Sequence, residues 1–182
     1  MLNYTVEPGS VLYIIGQGFG IIAIILGFVS YQCKTQKMLL LLQTFAALVF
    51  IIHYLLIGAT SGMAMNIISL AKNFTYFLRA GKSNKKIIPI IFTILMGIMG
   101  ILSWTNWYSI FVFLGLIINT YCTSFSDPRN IKKSILVTSP LVLIYDIFTL
   151  SIGGIIFESV SAVSALIGLL RTRPGKEAAV SK

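Results

Sequence analysis

Seven apolar stretches separated by short polar or glycine-bearing connections fill the chain, at approximately 11–31, 38–57, 62–79, 87–102, 107–123, 134–150 and 154–171. None has the period-two alternation of a barrel strand, and in lipid only helices and closed barrels satisfy their own backbone groups. Several of the stretches lie near the short end of what a hydrocarbon core of roughly 30 Å requires. The pattern predicts seven membrane helices with little tilt.

Composition agrees: 57% of the 182 residues are hydrophobic, 10% are charged and the mean hydropathy is +0.91. A soluble domain is roughly 25% charged, so a water-soluble enzyme of ordinary make-up is excluded, as is a disordered chain. The net charge of +9 acquires its meaning from position. Thirteen of the 14 basic residues fall in connections one, three and five and in the tail: Lys34 and Lys37; Arg79, Lys82, Lys85 and Lys86; Arg129, Lys132 and Lys133; Arg171, Arg173, Lys176 and Lys182. The other three connections have none. The positive-inside rule then puts the N-terminus outside and the C-terminus in the cytoplasm, with Trp104, Trp107 and Tyr108 at the outer interface. The charge reads as a topology signal and not as a nucleic-acid patch. Cys33 and Cys122 fall at cytoplasmic span ends, where thiols stay reduced.

Shifting the chain by 92 residues lays Gly62 on Gly154, Ser69 on Ser161, Leu78-Arg79 on Leu170-Arg171 and Phe50–His53 on Val142–Tyr145. Helices one to three therefore read as a unit repeated in helices five to seven. Three spans is an odd number, so two copies of like orientation need a linker helix between them, which 87–102 supplies. The expected fold is all-α and polytopic: two parallel three-helix bundles around a linker (3+1+3). Its parts are an outer N-terminal segment (1–10), a first bundle (11–79), a cytoplasmic loop and linker (80–106), a second bundle (107–171) and a basic tail (172–182).

Polar groups at membrane depth are costly and point to function or pairing. Asn66, Ser69, Asn73 and Tyr76 share one helical face, flanked by Lys72. Their repeat mates are Glu158, Ser161, Ala165 and Gly168, so a long polar face meets a small one and leaves room for a wet cavity. Close helix packing is the alternative. Lys72 is expected to pair with Glu158 or Asp146, or to meet an anionic substrate group. An outer vestibule holding His53, Asp146, Glu158 and Asn66 would admit a proton or cation, with Glu158 and Asp146 as the coupling groups. Gln17, Gln43 and Asn119 are candidate interhelical bonders, with ligand contact as the alternative for each. Gly16-Gln17-Gly18-Phe19-Gly20 lacks the strand and helix start of a nucleotide loop; Gly16, Gly20, Ala23 and Gly27 form a packing stripe instead. No triad spacing, HExxH or CxxC occurs, so neither an enzyme nor a metal or other cofactor is expected.

The run Gln17-Gly18-Phe19-Gly20-Ile21-Ile22-Ala23, then Gly27, His53-Tyr54-Leu55-Leu56-Ile57-Gly58 and Met65-Asn66, resembles YgjV-type bacterial inner-membrane proteins. Ser151-Ile152-Gly153-Gly154-Ile155-Ile156-Phe157-Glu158 and Leu169-Leu170-Arg171 carry the likeness through the second half. That layout is similar to the SWEET, PQ-loop and nicotinamide-riboside (PnuC) transporter superfamily. The chain lacks a Pro-Gln dipeptide, and Pro140 is the one proline inside a second-bundle helix, so SWEET-like proline hinges and a sugar substrate are not expected. The duplicated unit, the linker helix and the polar face read as a multi-pass inner-membrane facilitator or secondary transporter, and the Asn and Ser side chains suit a polar, nucleoside-like or vitamin-like metabolite. The alternative is a receptor or interaction protein of the same fold.

Overall fold

The computed structural model describes residues 6–33, 35–79, 87–123 and 128–171, and of residues 128, 129 and 171 the backbone alone. Lys34, the basic connection 80–86 and the tail 172–182 lie outside the described residues. Seven helices follow in order: α1 (Val11–Gln32), α2 (Gln36–Leu56), α3 (Thr60–Leu78), α4 (Ile87–Leu102), α5 (Ser109–Thr123), α6 (Pro128–Phe148) and α7 (Ile152–Arg171). The hydrophobic pattern located all seven. It placed the start of α6 late, because Pro128 opens that helix within a polar stretch, and proline is well suited to a first turn. Ser10 caps α1 through Tyr13 N (3.3 Å), and Thr35 caps α2 through Met38 N (3.4 Å).

Among the described residues, α1, α2 and the 152–170 part of α7 are long and apolar enough to cross a bilayer, while α4 and α5 are shorter apolar helices. The polar residues that take α3 out of that set are the ones the sequence placed on a single face. Large apolar side chains cover the outside of the bundle, including Ile14, Ile21, Ile25 and Phe28 on α1 and Ile94, Ile98 and Ile101 on α4.

Six helices close a ring. α1 packs on α2 and α7, α2 on α3, α3 on α5, α5 on α6, and α6 on α7, while α4 lies outside against α3 and α5. The stripe Gly16, Gly20, Ala23 and Gly27 is buried along α1, as its spacing predicted. One core cluster spans the middle of the ring and draws on α1, α2, α5 and α6 through Ala23, Phe50, Tyr54, Ile57, Val112, Val142 and Tyr145. Away from it lie two separate clusters, Tyr31 with Ile131, Ile135 and Ala165, and Leu39 and Leu40 with Tyr76.

The α2–α3 and α6–α7 turns have one geometry. Ala59 N bonds Tyr54 O and Ser151 N bonds Asp146 O, each at 2.9 Å; Thr60 N bonds Gly58 O and Ile152 N bonds Leu150 O, each at 3.1 Å. The residue with positive φ is Gly58 (77°) in the first turn and Leu150 (53°) in the second. The left-handed region costs an L-residue roughly 1–2 kcal/mol. Leu150 tolerates it because Tyr13 Oη and Gln17 Nε2 donate to its carbonyl at 2.6 and 3.0 Å. Leu150→Gly is therefore expected to stabilise the protein by about 1 kcal/mol, since the leucine side chain is half-exposed and little packing is lost. Thermal unfolding in detergent checks this, and a lower Tm would refute it.

Candidate functional site

The ring encloses a cavity of about 100 Å³ lined from all six of its helices. α3 supplies Asn66, Ser69, Lys72 and Asn73; α5 supplies Asn119; α7 supplies Glu158 and Phe157. These are the polar residues expected on the third helix apart from Tyr76, together with three of the candidates expected elsewhere, Gln43, Asn119 and Glu158. Their i, i+3, i+7 spacing brings them to one wall.

Each polar group has a particular environment. Lys72 is buried, and its Nζ donates to Asn119 Oδ1 at 3.0 Å across the α3–α5 seam. Asn119 Oδ1 also accepts from Thr123 Oγ1 at 3.2 Å. The expected ion pair of Lys72 with Glu158 or Asp146 does not form among the described residues, because Lys72 points to α5 and Asp146 is already engaged by Tyr54. Asn66 Nδ2 donates to Gly62 O (2.9 Å) and Asn73 Nδ2 to Gln43 O (3.4 Å). Ser69 Oγ and Asn73 Oδ1 are buried with no hydrogen-bond partner. Across the cavity, Glu158 lies beside Ser139, and Tyr31 lies beside Glu158, Ser161 and Gln43.

Four expected site residues stand elsewhere. Tyr76 packs away from the cavity against Leu39, Leu40 and Phe92 (ring centroids 6.1 Å). Gln17 is spent on the α6–α7 turn, donating to Leu150 O and accepting from Gly153 N at 3.1 Å. His53 and Asp146 do not face a vestibule; both are completely buried. Gly16 and Gly20 let α1 approach so closely that His53 is enclosed, its Nδ1 on Gly16 O (2.8 Å) and its Nε2 on Ser151 Oγ (2.7 Å). A carbonyl cannot donate, so Nδ1 carries the proton and Nε2 accepts from the serine hydroxyl. That distance suits a nucleophile and its base, but Ser151 is fully buried and its oxygen also accepts from Gly154 N at 3.1 Å. It acts as a helix cap.

Asp146 Oδ1 accepts from Tyr54 Oη at 2.7 Å, and Tyr145 Oη accepts from Gly62 N at 2.8 Å. With the rings of Phe50 and Phe157 (4.7 Å apart) these groups lie toward the end of the cavity that carries both turns. Sequence reasoning missed Tyr31, Tyr54, Thr138 and Ser139 as lining residues. Tyr31 carried a signal: it follows Gly27 by four residues and continues the small-residue stripe with a large polar group. Among the described residues no three His, Cys, Asp or Glu side chains are placed to hold a metal.

A family described as Imp-YgjV, bacterial inner membrane protein, matches residues 14–176. The match reaches all seven helices. The chain belongs to the Imp-YgjV family of bacterial inner membrane proteins. No curated protein and no solved structure matches it. For an Imp-YgjV protein the apolar exterior is the surface that meets lipid. The cavity then lies in the interior of a membrane bundle, where polar groups are costly unless they are used.

Proposed function

We propose that the protein is a facilitator or secondary transporter for a small polar metabolite, multi-pass in the inner membrane, with all seven helices spanning. The observation that carries this reading is the polar cavity at the ring centre, with the Tyr54–Asp146 bond toward its turn-bearing end. Two three-helix units around a linker are supported by the matching turns and by mirrored contacts. Gln17–Gly153 joins α1 to α7, and its counterpart under the 92-residue shift, Ser61–Ser109 (3.0 Å), joins α3 to α5. Such repeats place a site at their pseudo-twofold axis and exchange access by rocking. The layout likeness to the SWEET and PQ-loop transporters points the same way. A nucleoside- or vitamin-sized ligand would need the cavity to widen, since pockets for drug-sized molecules run to roughly 300–1,000 Å³. Smaller solutes are favoured. Energy would come from the solute gradient or from an ion, with Glu158 and Asp146 as the acids available for coupling.

Asn66→Ala and Asn73→Ala are each expected to cut uptake into proteoliposomes about tenfold, roughly 1.4 kcal/mol of lost stabilisation. Full uptake in both variants would move the site elsewhere. Binding with no translocation, with or without a pH gradient, would favour the receptor reading. Orientation has its own check. In a Cys122→Ser background, a membrane-impermeant maleimide should label Cys33, at the C-terminal end of α1, in inverted vesicles and not in intact cells.

A further inference from the structure

The walls of the cavity carry one basic and one acidic side chain, Lys72 and Glu158. In the ring order α1, α2, α3, α5, α6, α7, helices α3 and α7 are opposite members. The two charges therefore approach the cavity from facing walls. They do not neutralise one another, since Lys72 gives its amine to the neutral amide of Asn119. A buried charge without a counter-charge is unfavourable in a medium that excludes water. Two more groups on the Lys72 wall, Ser69 Oγ and Asn73 Oδ1, are more than nine-tenths buried and lack any hydrogen-bond partner.

From this we infer that the ligand is a small zwitterion of α-amino-acid type. Its carboxylate meets Lys72 and accepts from the Ser69 hydroxyl; its ammonium meets Glu158 on the facing wall, beside Ser139 and Tyr31. The inference rests on the carrier reading for the location of the site and adds the chemical class. A singly charged solute would leave one wall charge unmatched, and a neutral solute would leave both. The volume of about 100 Å³ limits the ligand to a few non-hydrogen atoms, the size of glycine, alanine or serine.

The test uses the full-length protein in nanodiscs, with binding read as a saturable rise in Tm and by calorimetry. The probes are glycine, L-alanine and L-serine, against propionate (no ammonium), ethylamine (no carboxylate) and lactamide (neither charge). At least one zwitterion should bind about tenfold more tightly than all three controls. Lys72→Met should erase its advantage over ethylamine, and Glu158→Gln its advantage over propionate. Lys72→Arg and Glu158→Asp should retain part of both. The wild-type panel decides the matter even if a variant fails to fold. Zwitterions and lactamide binding within about threefold of one another, or no zwitterion binding at tens of millimolar, would overturn the inference. Uptake of lactamide without charge preference would overturn it while leaving transport intact. A zwitterion that binds selectively but is never taken up would uphold it and remove the carrier reading.

Discussion

Gly153→Ala and Gly20→Ala are each expected to lower the thermal stability sharply, or to prevent recovery of a monodisperse protein, although each adds only one methyl group. A Cβ on Gly153 would lie 2.5 Å from the Gly20 Cα, and one on Gly20 would lie 2.7 Å from the Gly153 Cα. In both cases the obstacle is backbone, so no rotamer change relieves it. α1 and α7 would have to separate, drawing Gly16 off His53 and Gln17 off the α6–α7 turn. Overpacking of a core typically costs roughly 1–3 kcal/mol; the loss of the buried His53–Gly16 contact adds to it. The expected cost is at the upper end of that range or beyond. Gly18→Ala is the control: it lies on the same helix with nothing within 4 Å of its added Cβ. It should be neutral or stabilising by up to about 1 kcal/mol, the helical advantage of alanine over glycine. Size-exclusion profiles after heating separate the three proteins. Equal behaviour of Gly18→Ala and Gly153→Ala would show that α1 and α7 do not touch there.

The seven helices were legible because length and hydropathy are local properties, and so was the α3 wall, since one helix fixes the relative directions of Asn66, Ser69 and Asn73. Tyr76 obeys the same period, yet it sits at the end of the helix beyond the cavity, where Leu39 and Phe92 claim its ring. A helical wheel has no depth coordinate and cannot tell the two cases apart. Partnerships between helices were the harder matter. Lys72 has two acids within sequence-level reach, and the choice of Asn119 depends on the rotation of α5 about its axis, which no pattern on α3 encodes. His53 and Asp146 have the residue types of an open vestibule. The closeness of α1, set by glycines 33 and more positions away in sequence, turns them into the sealed floor of one. Tyr54 and Asp146, which the 92-residue shift aligns, bond directly.

That pair is expected to yield a large coupling in a double-mutant cycle of Tyr54→Phe, Asp146→Ala and their combination. Tyr54 Oη donates at 2.7 Å to a carboxyl group that is completely buried, and Asp146 Oδ2 has no partner to compensate. Interhelical polar contacts in membranes average only about 0.6 kcal/mol, with a maximum near 1.7, because an unfolded bundle finds other partners. The upper value applies here, since Asp146 is held against Gly154, where an added Cβ would lie 2.4 Å from its Cγ, leaving the carboxyl little room to turn to another donor. Tyr54→Phe should therefore cost about 1.5 kcal/mol on its own and little further when Asp146 is already alanine, for a coupling above about 1 kcal/mol. The same bond joins α2 to α6 across the ring, so its loss should also loosen the layer at the turn-bearing end of the cavity. In a cysteine-free background, Ser69→Cys should react with an impermeant thiol reagent applied from the turn-bearing end several-fold faster once Tyr54 is phenylalanine. Unchanged labelling together with a measurable coupling would mean that Tyr54–Asp146 supports the fold while the apolar layer of Phe50, Phe157 and Val112 alone keeps that end shut.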